Sequence, residues 1–212
     1  MDRMKVEDLP MLFESVKVEF EKEKDELCRM DAELGDEDLG LTMSKGFSAL
    51  PGLLKENMVA GDVGQTLVKS GMKMAAVVPS TMGTLMSSGI MGAGMALKGK
   101  DSIDSEGLVT FLSAFASALQ RRGKAKAGDR TILDAAFASE EKAKAALNEG
   151  KDLAGVAKAA YEGGLEGVEK TKDMKPVFGK AAVFEEKAIG KPDQGAYAYT
   201  VLLRGLLGYI SK

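Results

Sequence analysis

Apolar residues recur at helical spacing along most of the chain. Leu12, Val16, Phe20 and Leu27 fall near one face of a 3.6-residue repeat, so we predict a first helix from about 10 to 30. No segment shows the alternating β-branched pattern of a sheet. The sequence therefore predicts an all-α fold, a bundle of about eight antiparallel amphipathic helices. The remaining seven are expected from 40 into the 50s, and over about 62–78, 83–97, 105–123, 131–148, 152–172 and 195–210.

Three segments depart from this regular pattern. The helix at 83–97 is so rich in Gly, Ser and Ala that we expect it to approach its neighbours closely. Residues 123–130 form an irregular, charged junction, and 173–194 contain two prolines and little periodicity. Because a loop that long is unusual in a compact domain, we expect 173–194 to be a functional or disordered loop.

A membrane span is the other interpretation of the uncharged stretch between Lys73 and Lys98. This stretch contains Pro79 and four glycines, and it lacks the sustained Leu, Ile and Phe content of a span. We therefore expect two buried helices joined by a loop. The amino terminus also lacks the apolar core of a secretion signal.

The amino-acid composition limits the number of domains, the reactive side chains and the partners that we expect. The chain of 212 residues is long enough for one good core, and we expect a single domain over 1–212. It contains no histidine, the commonest general base and metal ligand, and its single cysteine, Cys28, cannot form an intramolecular disulfide. The net charge is −3 with both signs mixed, so we expect no nucleic-acid partner. The cysteine usage is typical of a reducing cytoplasm.

The most informative stretch places three aspartates within eight residues. Asp31, Asp36 and Asp38 lie at a junction between two predicted helices, with Gly35 and Gly40 where the backbone must turn. Such a carboxylate cluster can hold Mg²⁺, which prefers oxygen ligands and leaves positions for substrate phosphates. The following helix would present its N-terminal N–H groups to those phosphates.

A simpler interpretation is that Asp36 and Asp38 only cap the second helix. An EF-hand loop is a third alternative, but the stretch has no terminal Glu at the spacing which that loop requires. The residues alone leave the choice between cap and metal site open.

Three ordered stretches resemble the L subunit of dihydroxyacetone kinases. Residues 31–43 read Asp-x-x-x-Gly-Asp-x-Asp-x-Gly-x-x-Met, followed by Gly46-Phe47. Residues 122–134 contain Arg-Gly-Lys-Ala and Gly-Asp-Arg-Thr-Ile-Leu-Asp, where the family has Gly-Asp-Lys-Thr-Met-x-Asp. Residues 179–196 contain Gly-Lys-Ala, Glu-Lys-Ala-Ile-Gly and Asp-Gln-Gly-Ala. The resemblance covers nearly the whole chain and implies a barrel of eight antiparallel helices.

The resemblance also implies the ligands and their residues. In this family the three aspartates, here Asp31, Asp36 and Asp38, bind two Mg²⁺ ions that bridge the phosphates of ADP or ATP. The implied nucleotide-binding residues are Leu39, Gly40, Leu41, Thr42, Thr81, Met82, Gly83, Gly123, Ile132, Lys180, Asp193, Gln194 and Gly195.

The acceptor is implied to lie on another chain. In the family a histidine of a separate K subunit or domain holds dihydroxyacetone covalently, and this chain has no histidine. We therefore expect a phosphotransferase subunit, inactive without its partner, that phosphorylates dihydroxyacetone or a related small ketose. Free ATP and a phosphotransferase-system protein both stay open as the phosphoryl source, and a homodimer stays open as the assembly.

Several positions differ from the family pattern. Leu39 stands in place of a histidine, Thr42 in place of an asparagine, and residues 79–83 in place of a Gly-Gly-Ala-Ser-Gly turn; Lys180 and Lys187 replace arginines. Lysine keeps the charge but loses the bidentate fork of arginine. These differences support an alternative, a diverged paralogue that acts as a binding or regulatory protein. A third hypothesis places a lipid in the interior of the barrel.

Overall fold

The long helices of the protein follow the predicted helical segments closely. The computed structural model describes residues 2–212, with only the backbone described at 180 and 184–186. Two short 3₁₀ helices, Val6–Asp8 and Lys180–Phe184, accompany the regular elements. Those elements are β1 (Met4–Lys5), α1 (Leu9–Lys22), α2 (Lys24–Leu34), α3 (Leu39–Glu56), α4 (Val63–Val77), α5 (Thr81–Ala96), β2 (Ser102–Ile103), α6 (Ser105–Gly123), α7 (Ile132–Asn148), α8 (Leu153–Thr171), α9 (Glu185–Ala188) and α10 (Gln194–Ile210).

The predicted first helix is in fact two helices. One residue, Glu23, with φ −91° and ψ 1°, separates α1 from α2. The Glu23 carboxylate accepts hydrogen bonds from Tyr197 Oη at 2.9 Å and from Arg204 Nη2 at 2.7 Å, both on α10. No local sequence pattern predicted this break, because the partners of Glu23 lie at the other end of the chain. The second helix, α2, carries Asp31 in its last turn.

Four further elements were too short for a periodic pattern to reveal. The segment 173–194, predicted as a loop, contains the 3₁₀ helix Lys180–Phe184 and the four-residue helix α9. The two-residue strands β1 and β2 pair antiparallel, with Met4 opposite Ile103, although no strand was predicted. The all-α class is nevertheless confirmed, because this pair is all the sheet among residues 2–212.

The helices pack into a closed arrangement. Most helices contact their neighbours in the chain, and α10 packs on α1, which brings the two ends of the chain together. One continuous core fills the interior, with Phe20 and Phe47 stacked at 4.3 Å and Phe115 against Tyr199 at 5.6 Å between ring centroids. The cavity between α1, α6 and α10 has a volume of about 10 Å³, which is too small for a lipid chain.

The small residues of α5 let it lie close to its neighbours, as predicted. A Cβ at Gly89 would lie 2.5 Å from the Phe115 ring, and one at Gly94 would lie 2.7 Å from the Gly64 carbonyl oxygen. The uncharged stretch is thus used for helix packing inside the bundle. Over residues 2–212, no helix combines the length and the apolar content needed to cross a membrane.

Candidate functional site

A cavity of about 960 Å³ opens where four helices begin. Alternate helices of an antiparallel bundle start at the same end, and the first turns of α3, α5, α7 and α10 all contribute to the lining. These turns supply Leu39, Thr81, Ile132 and Gln194. Because the first turn of a helix carries unpaired N–H groups and a partial positive charge, this end of the bundle favours anionic groups such as phosphates.

The aspartate cluster lies on one side of this cavity. Asp31, Asp36 and Asp38 each offer a carboxylate oxygen, and these oxygens lie within 4.8 Å of one another. Asp31 is buried, whereas Asp36 and Asp38 are exposed. All three residues line the cavity, so the structure brings the predicted metal ligands together beside the helix N-termini.

Asp31 caps the start of α3, a role that the sequence analysis considered for Asp36 and Asp38. Its Oδ2 accepts hydrogen bonds from the backbone N–H of Asp38 at 3.1 Å and of Leu39 at 3.3 Å, at the start of α3. Asp38 occupies the N-cap position, yet its side chain makes no capping hydrogen bond. Helix capping therefore explains Asp31 in part and does not explain the carboxylate of Asp38.

The surroundings of Asp31 fit a hard cation. Gly35 makes room for the carboxylate, because a Cβ there would lie 2.1 Å from Asp31 Oδ1. Gln194 Nε2 donates to the same oxygen at 3.3 Å, while the buried Gln194 Oε1 has no hydrogen-bond partner among the described residues. An unpartnered amide oxygen beside three carboxylates is a donor set that Mg²⁺ or its bound water would complete.

The wall on the other side is built by the loop before α7. Asp134 accepts hydrogen bonds from Gly128 N at 2.6 Å and from Thr131 N at 2.8 Å, and Thr131 Oγ1 accepts from Leu133 N at 3.2 Å. These bonds fix an otherwise irregular loop and the start of α7. The larger apolar side chains that line the cavity are Leu39, Met82, Leu85, Leu119, Ile132, Leu133 and Phe178. An apolar wall next to polar groups suits a ligand with both a flat apolar part and a charged part.

The turn at 79–83 keeps the N-terminus of α5 at the cavity despite its unusual sequence. Ser80 Oγ accepts from Gly83 N at 3.0 Å and so caps the helix, which leaves Thr81 as the exposed hydroxyl at the cavity. A Cβ at Gly195 would lie 2.8 Å from Met82 Cε. The first turns of α5 and α10 are therefore in close contact.

Asp193 caps α10 from a buried position at the edge of the cavity. Its Oδ2 accepts from Ala196 N at 2.8 Å, and its own N–H donates to Thr171 Oγ1 at 2.9 Å. Burial raises the pKa of the Asp193 carboxyl to about 6, although the Ala196 N–H and the Arg130 guanidinium both favour the charged form. The carboxylate is therefore mostly charged at neutral pH.

Most of the predicted nucleotide-binding residues reach this cavity. Leu39, Thr81, Met82, Gly123, Ile132, Asp193, Gln194 and Gly195 line it. The structure does not bring Gly40, Leu41, Thr42 or Gly83 to the lining. The Lys180 side chain lies outside the described residues.

Gly40 and Leu41, which do not line the cavity, have other positions in the structure. A Cβ at Gly40 would lie 2.0 Å from the Lys24 carbonyl oxygen, so this glycine lets α3 cross α2. Leu41 is 52% exposed on the outside of α3. Their contribution to nucleotide binding stays a prediction.

Among the cavity residues that the sequence did not predict, two are charged. Arg122 and Arg130 both line the cavity, and both lie in the stretch 122–134 that carried the family resemblance. Arg130 replaces the lysine of the family motif, and that difference was the available signal. It is also almost completely buried, which the sequence pattern could not show.

Comparison with known proteins gives consistent matches. A profile of the DAK2 domain matches residues 33–208. The ADP-binding subunit DhaL of PEP-dependent dihydroxyacetone kinase 1 from Listeria innocua is 30% identical over 187 residues, which cover 88% of each chain. Human triokinase/FMN cyclase is 30% identical over 184 residues, 87% of this chain but 32% of that protein.

A solved structure shows the same fold. The crystal structure of the dihydroxyacetone kinase from C. freundii in complex with AMP-PNP and Mg²⁺ superimposes with a TM-score of 0.68 at 24% identity. The match covers 94% of this chain and 33% of that one. The present chain therefore spans about a third of that kinase and most of the bacterial subunit.

Proposed function

The chain belongs to the DAK2 domain family, and from this premise we propose that it is the ADP- or ATP-binding subunit of a dihydroxyacetone-type kinase. The proposal rests mainly on one structural observation. Three clustered carboxylates and four helix N-termini line one cavity, which provides a place for Mg²⁺ and for the phosphates that it binds. The relatives named as ADP-binding subunits support the same assignment.

The site supplies what phosphoryl transfer requires. The protein takes little covalent part in this reaction and mainly positions the phosphates and stabilises their charge. We propose that Asp31, Asp36 and Asp38 hold two Mg²⁺ ions. When bound, the ions would neutralise charge on the phosphates. The N–H groups in the first turns of α5 and α10 would face the same anion.

The differences from the family pattern do not remove this geometry. The altered turn at 79–83 still starts α5 at the cavity, with Ser80 as its cap and Thr81 exposed to the ligand. Leu39, which stands in place of the family's histidine, is mostly buried and still lines the cavity. Both facts favour an active nucleotide site over a diverged binding protein.

Calorimetry of the purified chain tests the proposal directly. We expect ADP to bind in the presence of Mg²⁺ and to lose most of its affinity in EDTA, because the carboxylates alone repel the phosphates. AMP should bind more weakly than ADP, since it lacks the β-phosphate that a bridging metal would contact. The absence of metal-dependent heat at millimolar ADP would contradict the kinase-subunit assignment.

The proposal for the phosphoryl acceptor and for the partner subunit rests on the absence of histidine from this chain. It has no histidine, so the covalent holding of a ketose seen in the family must come from elsewhere. We propose that a K subunit presents dihydroxyacetone or a related small ketose to the cavity, and that this chain alone does not phosphorylate it. We place the reaction in the cytoplasm, with free ATP or a phosphotransferase-system protein as the phosphoryl source.

The surface around the cavity offers a place for that partner. Gly179 and Ala181 line the cavity, and the same segment exposes four apolar side chains: Val177, Phe178, Val183 and Ile189. Val183 is 79% exposed. Apolar side chains grouped at a polar rim are typical of a protein interface.

The substitution Val183→Asp is expected to weaken association with the K subunit by about tenfold or more, because a charge would be buried in an apolar contact. ADP affinity should stay unchanged, since Val183 does not line the cavity. Surface-plasmon resonance against the immobilised K subunit measures the first effect and calorimetry the second. Met72→Asp, at an exposed methionine on α4, is the matched control; an equal loss there would refute this assignment of the interface.

A further inference from the structure

Arg130 is a charged residue enclosed within the protein. Its side chain has 0% exposure, and its backbone adopts a left-handed φ of 58° just before α7. Burying a guanidinium is unfavourable unless polar groups surround it. The position of Arg130 therefore reflects a specific set of partners.

Those partners all lie on the segment that leads into α10. Arg130 Nη2 donates to the carbonyl oxygens of Ala188 at 3.3 Å and Lys191 at 3.1 Å, and Nη1 lies 3.8 Å from Asp193 Oδ1. Two of its nitrogens, Nε and Nη1, have no hydrogen-bond partner among the side chains and backbone that the structure describes. The side chain thus connects the loop before α7 to residues 58 and 61 positions later in the sequence.

This connection leads directly to the aspartate cluster. Asp193 caps α10, and the next residue, Gln194, donates to Asp31 Oδ1 at 3.3 Å. On its other side, Arg130 precedes Thr131 and Ile132, which form the opposite wall of the cavity. A movement of the guanidinium would therefore shift both walls.

We propose that Arg130 is a positioning residue, which holds the start of α10 against the loop before α7 and thereby places Gln194 on the metal-binding Asp31. This inference rests on the proposed nucleotide function and extends it to a residue without direct metal contact. The planar guanidinium matters, because Nη2 donates to two carbonyl oxygens while Nη1 of the same group faces the Asp193 carboxylate 3.8 Å away. Lysine would keep the charge, but its single nitrogen could not occupy both positions.

The test uses the full chain with ADP and Mg²⁺ as the probe. Outer-shell residues alter metal affinity about 10–100-fold, so we expect Arg130→Lys to weaken Mg²⁺-dependent ADP binding about 10-fold and Arg130→Met about 100-fold. Both variants should also need more Mg²⁺ for half-saturation. Binding is measured by calorimetry at a temperature where circular dichroism shows that every variant is folded. If Arg130→Met does not fold, Arg130→Lys alone decides the outcome.

Arg204 provides the matched control. It lies on α10, the helix whose start contacts Arg130, and pairs with Glu19 at 2.6 Å and Glu23 at 2.7 Å, away from the cavity. Arg204→Lys and Arg204→Met should lower stability without a change in ADP affinity. Wild-type affinity in the Arg130 variants would overturn the proposal, and so would an equal loss of affinity in the Arg204 variants. A wild-type chain that binds no ADP would instead refute the nucleotide function itself.

Discussion

The substitution Asp36→Ala is expected to remove metal-dependent ADP binding and leave the fold intact. Asp36 is exposed, and its carboxylate belongs to the cluster whose oxygens lie within 4.8 Å of one another. Loss of a residue that only orients a metal ligand weakens metal affinity about 10–100-fold. Loss of a ligand itself should therefore weaken metal-dependent ADP binding by about 100-fold or more. The free energy of unfolding should change by no more than about 0.5 kcal/mol, as is usual for exposed positions.

Calorimetry with ADP and Mg²⁺ measures the loss, and circular dichroism with urea unfolding measures stability. Glu37→Ala is the control, because it removes one negative charge from an exposed neighbour outside the cluster. Near-normal binding in Glu37→Ala would exclude a general effect of charge. Unfolding of Asp36→Ala would instead favour the helix-capping interpretation, and unchanged binding would remove Asp36 from the metal site.

The substitution Gly40→Ala is expected to destabilise the protein strongly, by about 2 kcal/mol or more, because overpacking against a fixed backbone has effects of this size. The new Cβ would lie 2.0 Å from the Lys24 carbonyl oxygen and 2.8 Å from Cys28 Sγ. Helices α2 and α3 would have to move apart. Urea unfolding without nucleotide measures the change, so that ligand binding does not contribute.

Gly52 supplies the control on the same helix. A Cβ at Gly52 would meet nothing within 4 Å, so Gly52→Ala should stabilise α3 by about 0.5–1 kcal/mol through helix propensity. Gly40 was predicted from the sequence as a nucleotide-binding residue. Normal stability with weakened ADP binding in Gly40→Ala would support that role and contradict the packing role that the structure indicates.

The sequence alone predicted most helices because their signals are local. Apolar spacing acts within a few positions, and an example is the buried face of α1 formed by Leu12, Val16 and Phe20. The break at Glu23 was missed, since it is associated with contacts to Tyr197 and Arg204 on the last helix. The four-residue helix α9 was missed because it is shorter than two helical turns.

Some features of the candidate site could likewise be predicted from the sequence, whereas others depend on tertiary packing. The sequence by itself determined the aspartate cluster, because Asp31, Asp36 and Asp38 lie within eight residues and a short loop keeps them close. Only the tertiary structure decided which distant groups face them: Gln194 reaches Asp31 across 163 positions of sequence. Arg130 likewise meets its partners only after α7, α8 and α10 have packed. Local signals fix helices and short loops, whereas a cavity between helix ends depends on the packing of the whole bundle.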